Sequence, residues 1–359
     1  MKPRTLKDLV SGPHTRAEIR VPYIMRQVML ALAPTTVFGI LLFGWPALWL
    51  FAITVSSAAL FEALCLKMAG RPAIATLYDG SALLTGWLVA LTLPPWAPWW
   101  IGVVGSGIAI VLGKQVYGGL GQNLFNPAML ARVTLLVSFP VEMTTWITPH
   151  GLFGGASPGF PGSFAITFGG IPNIDAVAGA TYLGAMKTGF SDGQTLSATL
   201  AEEHYSLLAS AFGVMRGSLG ETSSLLVLAG GLYLLKKRII TWHIPVAMLL
   251  SIAVLATAFH LANPERYADA GFHLTTGAVM LVAFFIATDY VTSPNSPLGQ
   301  LVFGAGCGLI VFVIRSWGGY PEGTGFAILL MNAMTPLIDH TIRPRIYGRD
   351  RRGKPLELP

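Results

Sequence analysis

The sequence predicts an all-α, polytopic membrane protein of about ten transmembrane helices in two inverted five-helix repeats. Three observations carry that expectation. Of 359 residues, 53% are hydrophobic and 11% charged, and the mean hydropathy is +0.61, whereas soluble domains carry about 25% charged residues. Apolar runs close to the ~20 residues that cross a bilayer recur along the chain, separated by Gly, Pro and short basic groups. One long polar interval, 140–221, divides these runs into two equal sets with an odd number of spans each, which would lie upside down relative to one another.

In order, a basic tail over 1–22 ends at Pro22, a residue suited to a helix start. The first repeat, 23–139, contains spans at 23–43, 47–66 and 79–93, a fourth ending at Gly113, and a fifth at 128–139. Gly44-Trp45-Pro46 makes a tight turn, and Pro94-Pro95-Trp96 stops the third span. The run 117–127 is too polar and too glycine-rich to continue a helix, and it reads as re-entrant backbone covered by protein or a cavity. The second repeat, 222–338, has spans at 222–235, 243–261, 272–288, 298–314 and 324–338, and a basic tail follows over 339–359. Interruptions match between the halves: 117–127 against 318–325, Asn126-Pro127 against Asn332 and Pro336, and Pro94, Pro95 and Pro98 against Pro294 and Pro297. Such matches point to a central site between repeats, or reflect only that Gly and Pro are common in membrane helices.

The formal charge of +6 is spread in short groups between spans, so it reads as a topology signal and excludes a nucleic-acid face. Both tails, Lys67, Lys114 and Lys236 fall on one side, which makes that side cytoplasmic and puts 140–221 outside. The N-terminus lacks a cleavable signal pattern. Cys65 and Cys307 are far apart in apolar spans and offer neither a disulfide framework nor a C-x-x-C site, and the histidines form no i, i+4 pair, so no metal site is expected. Glu62, Asp79, Asp289, Asp339, Arg26 and Arg132 fall near predicted cytoplasmic ends and Arg315 near an outer end, leaving no titratable side chain at the midplane as a default ion relay. Asp79 and Asp289, in corresponding halves, are either a polar site near the inner surface or caps.

The long interval exceeds ordinary connections and should hold function. It contains a predicted helix over 195–212 and Ser218-Leu219-Gly220-Glu221, which has capping-box spacing ahead of the sixth span. A helix starting at Glu221 and Thr222 would aim its positive end at the outer side, a favourable place for a phosphate. The run Asp175-Ala-Val-Ala-Gly179-Ala180-Thr181 leaves a threonine hydroxyl with nothing bulky before it. It is either a site of covalent modification or a Gly-Ala loop with a capping threonine. Lys187 reads as an exposed, solvated lysine rather than a phosphate ligand. Trp96, Trp99, Trp100, Trp146 and Trp317 gather at the outer boundary, where one or two are placed to stack on a flat ligand.

The D-x-x-A-G-A-T pattern ending at Thr181 resembles the flavinylation motif of the RnfD/NqrB family. The runs GKQVYGGLGQNLFNPAMLARV, LGAMKTG and GSLGETSSLLVLAGG are similar to that family as well, so the resemblance covers nearly the whole chain. It implies a fold like that of urea transporters, and FMN joined to Thr181 through a phosphoester by a flavin transferase on the outer face. Asp175 would serve recognition or loop formation, Gly179 and Ala180 close approach, and Glu221 and Thr222 support of the phosphate or ring. Ala178 departs from the Ser or Thr many members carry there. The implied role is a membrane subunit of the Rnf ion-translocating ferredoxin:NAD oxidoreductase, relaying electrons coupled to Na+ or H+ translocation, with no catalytic residue of its own. A second, noncovalent flavin, riboflavin, is implied. So are partner subunits, including the flavin-bearing G subunit and the iron-sulfur subunits, besides membrane lipid. The competing readings are a quinone-linked NqrB-type subunit and an unmodified small-solute transporter of the same fold.

Overall fold

In a hydrocarbon environment only helices satisfy every backbone polar group within one segment, which is why the long apolar runs fold as helices. The computed structural model describes residues 20–152, 158–170 and 178–343. Helices α1 (Val21–Phe43) and α2 (Trp45–Met68) turn on Gly44, whose φ is +80°. They are followed by α3 (Ala73–Leu77), α4 (Ser81–Thr92), α5 (Trp99–Gly107, continued as a π-helix over Ile108–Gln115), α6 (Pro127–Ser138) and the short α7 (Pro140–Thr144). The long polar interval forms β1 (Trp146–Ile147), α8 (Phe160–Gly169), β2 (Ala178–Gly179), α9 (Tyr182–Ser191), α10 (Leu196–Glu202) and α11 (Leu207–Phe212). The second half is α12 (Ser224–Lys236), α13 (His243–Ala262), α14 (Ala270–Thr275), α15 (Val279–Leu281, continued as a π-helix over Val282–Ile286), α16 (Pro297–Trp317) and α17 (Thr324–Thr341).

Among the described residues four helices, α1, α2, α13 and α16, are long and apolar enough to cross a membrane, and α4, α6 and α12 are shorter apolar helices. Twelve residues of helix reach about 18 Å, well short of a ~30 Å hydrocarbon layer, so α4 and α6 depend on adjoining non-helical backbone. The two halves share one core that includes Leu32, Leu91, Met129, Val227, Met248, Phe303 and Ile328. It forms where α1 packs on α12 and α6 on α17.

The halves repeat one order. A long helix (α2, α13) leads to a short one (α3, α14), a glycine in the left-handed region, a second short helix, and then a long helix (α5, α16). Gly80 has φ +78° and Gly277 φ +70°, a conformation that glycine alone adopts cheaply. In each half a cation near the end of the following long helix reaches back to the break. Lys114 Nζ donates to Ser81 Oγ at 2.7 Å, and an Arg315 terminal nitrogen donates to the Thr276 carbonyl at 2.9 Å.

Three sequence expectations are corrected. The span expected over 272–288 is not continuous: Thr276 is extended, and Arg315 and Glu322 satisfy the groups that the break frees. The helix expected over 195–212 is two helices, interrupted at His204 with φ +49°. The next residue, Tyr205, packs against Tyr182 and Phe272 in a satellite core with Leu183, Met186 and Leu196. The N-cap of α12 is Ser223, whose Oγ accepts from Leu226 N at 3.3 Å, not Ser218. Residues 218–221 form a separate turn whose Gly220 N–H donates to the Leu91 carbonyl at 2.7 Å, closing the open end of α4.

Candidate cofactor site

The site starts with a two-residue ladder in which Trp146 pairs with Gly179 and Ile147 with Ala178, antiparallel. Arg216 fastens this ladder. Its Nε donates to Thr148 Oγ1 at 3.1 Å, and one terminal nitrogen reaches the Ala180 carbonyl at 3.4 Å and Glu203 Oε2 at 3.2 Å. A Cβ at position 179 would fall 2.6 Å from the guanidinium carbon, so glycine is needed for the clamp to close. The chain then enters α9 with Thr181 as N-cap, and its Oγ1 accepts from Gly184 N at 3.1 Å. This is the usual geometry by which a threonine satisfies a free helical N–H. Position 184 lacks a side chain, and a Cβ there would lie 3.3 Å from the Thr181 oxygen. Among the described residues the hydroxyl has no acceptor of its own, so its hydrogen is free while its oxygen caps the helix.

Thr181 opens onto a cavity of about 170 Å³ whose walls include Arg132, Trp146, Ala180, Arg216, Glu221 and Glu322. Apolar surface comes from Leu136, Met143 and Met215. Arg132, 9% exposed, reaches Met143 Sδ at 4.0 Å and the face of Trp146, 5.8 Å from its guanidinium carbon, and has no oxygen acceptor among the described residues. Arg315 lies behind, its side chain fully buried. It donates to the His273 carbonyl at 2.7 Å and forms an ion pair with Glu322 at 3.1 Å. Glu322 also accepts from Ala278 N at 3.3 Å, and Glu221 accepts from Ser218 N at 3.4 Å.

The structure thus brings Thr181, Ala180 and Glu221 to one cavity and places Gly179 behind it through Arg216. Thr222 is not part of it, because its buried hydroxyl donates to the Leu219 carbonyl at 3.3 Å. Asp175 lies outside the described residues. Two expectations are overturned. Lys187 is not solvated: its ammonium donates to the Ile314 carbonyl at 2.9 Å and to the Gly318 carbonyl, closing the C-terminal end of α16, and burial holds it below the usual lysine range. Arg132 belongs to the Thr181 cavity rather than to the opposite end of its helix, because α6 is a short helix that starts at the buried Asn126. A charge within an apolar run is the signal that marks Arg132. For Arg216 the sequence carries no such signal.

A second cavity, of about 100 Å³, sits at the other end of α6, with Ser81, Lys114, Asn126, Phe285, Thr288 and Asp289 among its walls. Its polar groups are engaged with protein partners. Lys114 forms a buried ion pair with Glu62 at 2.8 Å. Asp79 accepts from Ser81 N at 2.7 Å, and Asp289 accepts from Val291 N at 3.3 Å and Thr292 Oγ1 at 3.2 Å. Asp79 acts as a local turn residue, whereas Asp289 lines the cavity and also accepts from Asn126 Nδ2, 163 residues away in sequence, at 3.5 Å.

Comparison with known proteins gives a consistent picture. Residues 8–348 match the NQR2, RnfD, RnfE family. A protein of Halorhodospira halophila, named as the D subunit of an ion-translocating oxidoreductase complex, is 56% identical over 98% of each chain. Proteins of the same name from Stutzerimonas stutzeri and Escherichia coli are 55% identical over 94% of each chain and 43% identical over 95% of this chain and 98% of theirs.

Proposed function

The chain belongs to the NQR2, RnfD, RnfE family, and from that premise we propose that it is a membrane subunit of an ion-translocating oxidoreductase complex that carries FMN esterified to Thr181. The observation that carries the reading is the position of the Thr181 oxygen, at the start of a helix and in the wall of a cavity with cations and an aromatic face. The residues present fit the group. Esterification replaces a hydrogen that bonds nothing among the described residues and leaves the oxygen at the cap. The phosphate would lie at the first turn of α9, where unpaired N–H groups and the helix dipole favour negative charge. Arg216, already at the Ala180 carbonyl, is the adjacent cation. Trp146, Met143, Met215 and Leu136 offer the apolar wall a planar ring needs.

Bound there, the flavin supplies a store for one or two electrons. The chain's own residues anchor it, neutralise its charge and shape its cavity. The tether keeps the ring at high local concentration against a mobile partner. We assign the electron route to the ferredoxin:NAD class, with the flavin-bearing G subunit and the iron-sulfur subunits as partners and a flavin transferase for maturation. On the family likeness alone we add riboflavin as a second flavin. The assigned topology has two inverted five-helix repeats, 23–139 and 222–338, in a bacterial inner membrane, with both tails cytoplasmic and Thr181 periplasmic. The paired breaks at Gly80 and Gly277, each answered by a cation from the next long helix, support the repeats.

The test is a denaturing gel of membranes under ultraviolet light. A fluorescent band at this protein's mass, lost in Thr181→Ala and kept in Thr181→Ser, is the expected result. A band that survives Thr181→Ala refutes the attachment site. Turnover of the complex with quinone but not with ferredoxin would move the assignment to the NqrB-type role.

A further inference from the structure

Arg132 is the one buried cation beside Thr181 with no oxygen acceptor among the described residues. Its guanidinium carries five donors, yet its neighbours are a thioether at 4.0 Å and an indole face. Those donors face the cavity instead of a protein oxygen, so what fills the cavity must satisfy them. Glu221 and Glu322 act on the Arg132 charge across the cavity, but their hydrogen bonds go to other groups, Glu322 to Arg315 and the Ala278 N–H, and Glu221 to the Ser218 N–H. Arg132 also lines a smaller void of about 20 Å³ with Glu221 and Glu322, which Thr181 does not reach. It therefore stands deeper than the threonine, while Arg216 stands beside the threonine's own backbone.

A flavin nucleotide has two places where negative charge resides. One is the phosphate. The other is the N1–C2 carbonyl edge of the ring, which becomes anionic when the neutral ring takes two electrons from an electron-donating partner subunit and one proton from water. The helix start and Arg216 serve the first. The geometry points to Arg132 as a positioning residue for the second, holding the ring end of the nucleotide tethered at Thr181 and favouring its reduced form. This rests on the Thr181 reading and would be void without it.

The experiment uses the purified full complex. Mass spectrometry of the peptide containing Thr181 first establishes whether wild type carries the flavin, and its absence refutes the Thr181 reading itself. With the flavin present, Arg132→Gln and Arg132→Met should keep the modification. In redox titrations corrected by the Thr181→Ala complex, they should lose about tenfold in relative affinity for the reduced ring, a fall of about 30 mV in its two-electron potential. Arg132→Lys should restore most of that potential. Unchanged potentials in both neutral variants overturn the proposal. So does an equal fall in Arg132→Lys, and so does failure of both neutral variants to assemble, which would make Arg132 a structural residue only.

Discussion

The breaks at Gly80 and Gly277 use the same parts to different effect. Around Gly80 the charges are sealed: Lys114 and Glu62 have side chains 3% and 1% exposed, and Ser81 joins that pair to Asp79. Around Gly277 the cation Arg315 is equally buried, but its partner Glu322 retains 17% exposure in a cavity that also holds Arg132 and Thr181. Both breaks border a cavity, but the first holds its ion pair almost wholly buried and the second leaves its carboxylate partly exposed. Two breaks built in the same order thus differ in how their charges are held, and that depends on where the partner carboxylate comes from. In the first half it comes from α2, inside the bundle. In the second it comes from the loop after α16, in the wall of the Thr181 cavity.

The contrast yields graded outcomes. Glu62→Leu strands Lys114 in a dry interior and should destabilise the purified protein by about 3–5 kcal/mol. Glu322→Leu leaves Arg315 with two carbonyls and should cost about 1–3 kcal/mol. Thermal melts in detergent compare them, and equal losses would erase the distinction between the two breaks. Next come the glycines. Both Gly80→Ala and Gly277→Ala meet a left-handed strain of about 1–2 kcal/mol. Only the latter also drives a methyl group into the Glu322–Arg315 pair, whereas at Gly80 the nearest atom is Met25 Cβ at 3.3 Å. Gly277→Ala should therefore have the lower melting temperature and the lower yield of covalent flavin.

Gly184→Val leaves the scaffold intact but crowds the Thr181 oxygen, and in-gel fluorescence per polypeptide should drop several-fold while the yield of folded protein holds. The smallest effect is expected at the Arg216–Glu203 pair, whose side chains are 32% and 29% exposed. Glu203→Gln should change stability by about 0–1 kcal/mol, read in the same melts, with flavin attachment preserved.

How much of this the sequence discloses depends on the range of the interaction. The long apolar helices follow from run length, and α13, expected at 243–261, is found at His243–Ala262. The threonine of the motif stands at the N-cap of α9, a local feature, whereas the cavity it faces takes Arg132, Glu221 and Glu322 from distant parts of the chain. The break at Gly277 is not legible, since a glycine in an apolar run looks the same whether or not Glu322, 45 residues on, waits to bond the freed N–H. Lys187 defeats the reading for the same reason, its carbonyl partners lying 127 and 131 residues away. Arg132 is visible as a charge in an apolar run, but its depth is not. Counting residues from the span's start assumes that the span starts at the membrane surface, and α6 starts at a buried asparagine instead.

The central claim is that the Thr181 cavity is built around a tethered redox ring. Mass spectrometry of the Thr181 peptide from natively assembled complex tests it most directly. The account predicts a peptide heavier by one FMN less water, with the added mass localised to Thr181. An unmodified peptide from a complex that is turning over would contradict it.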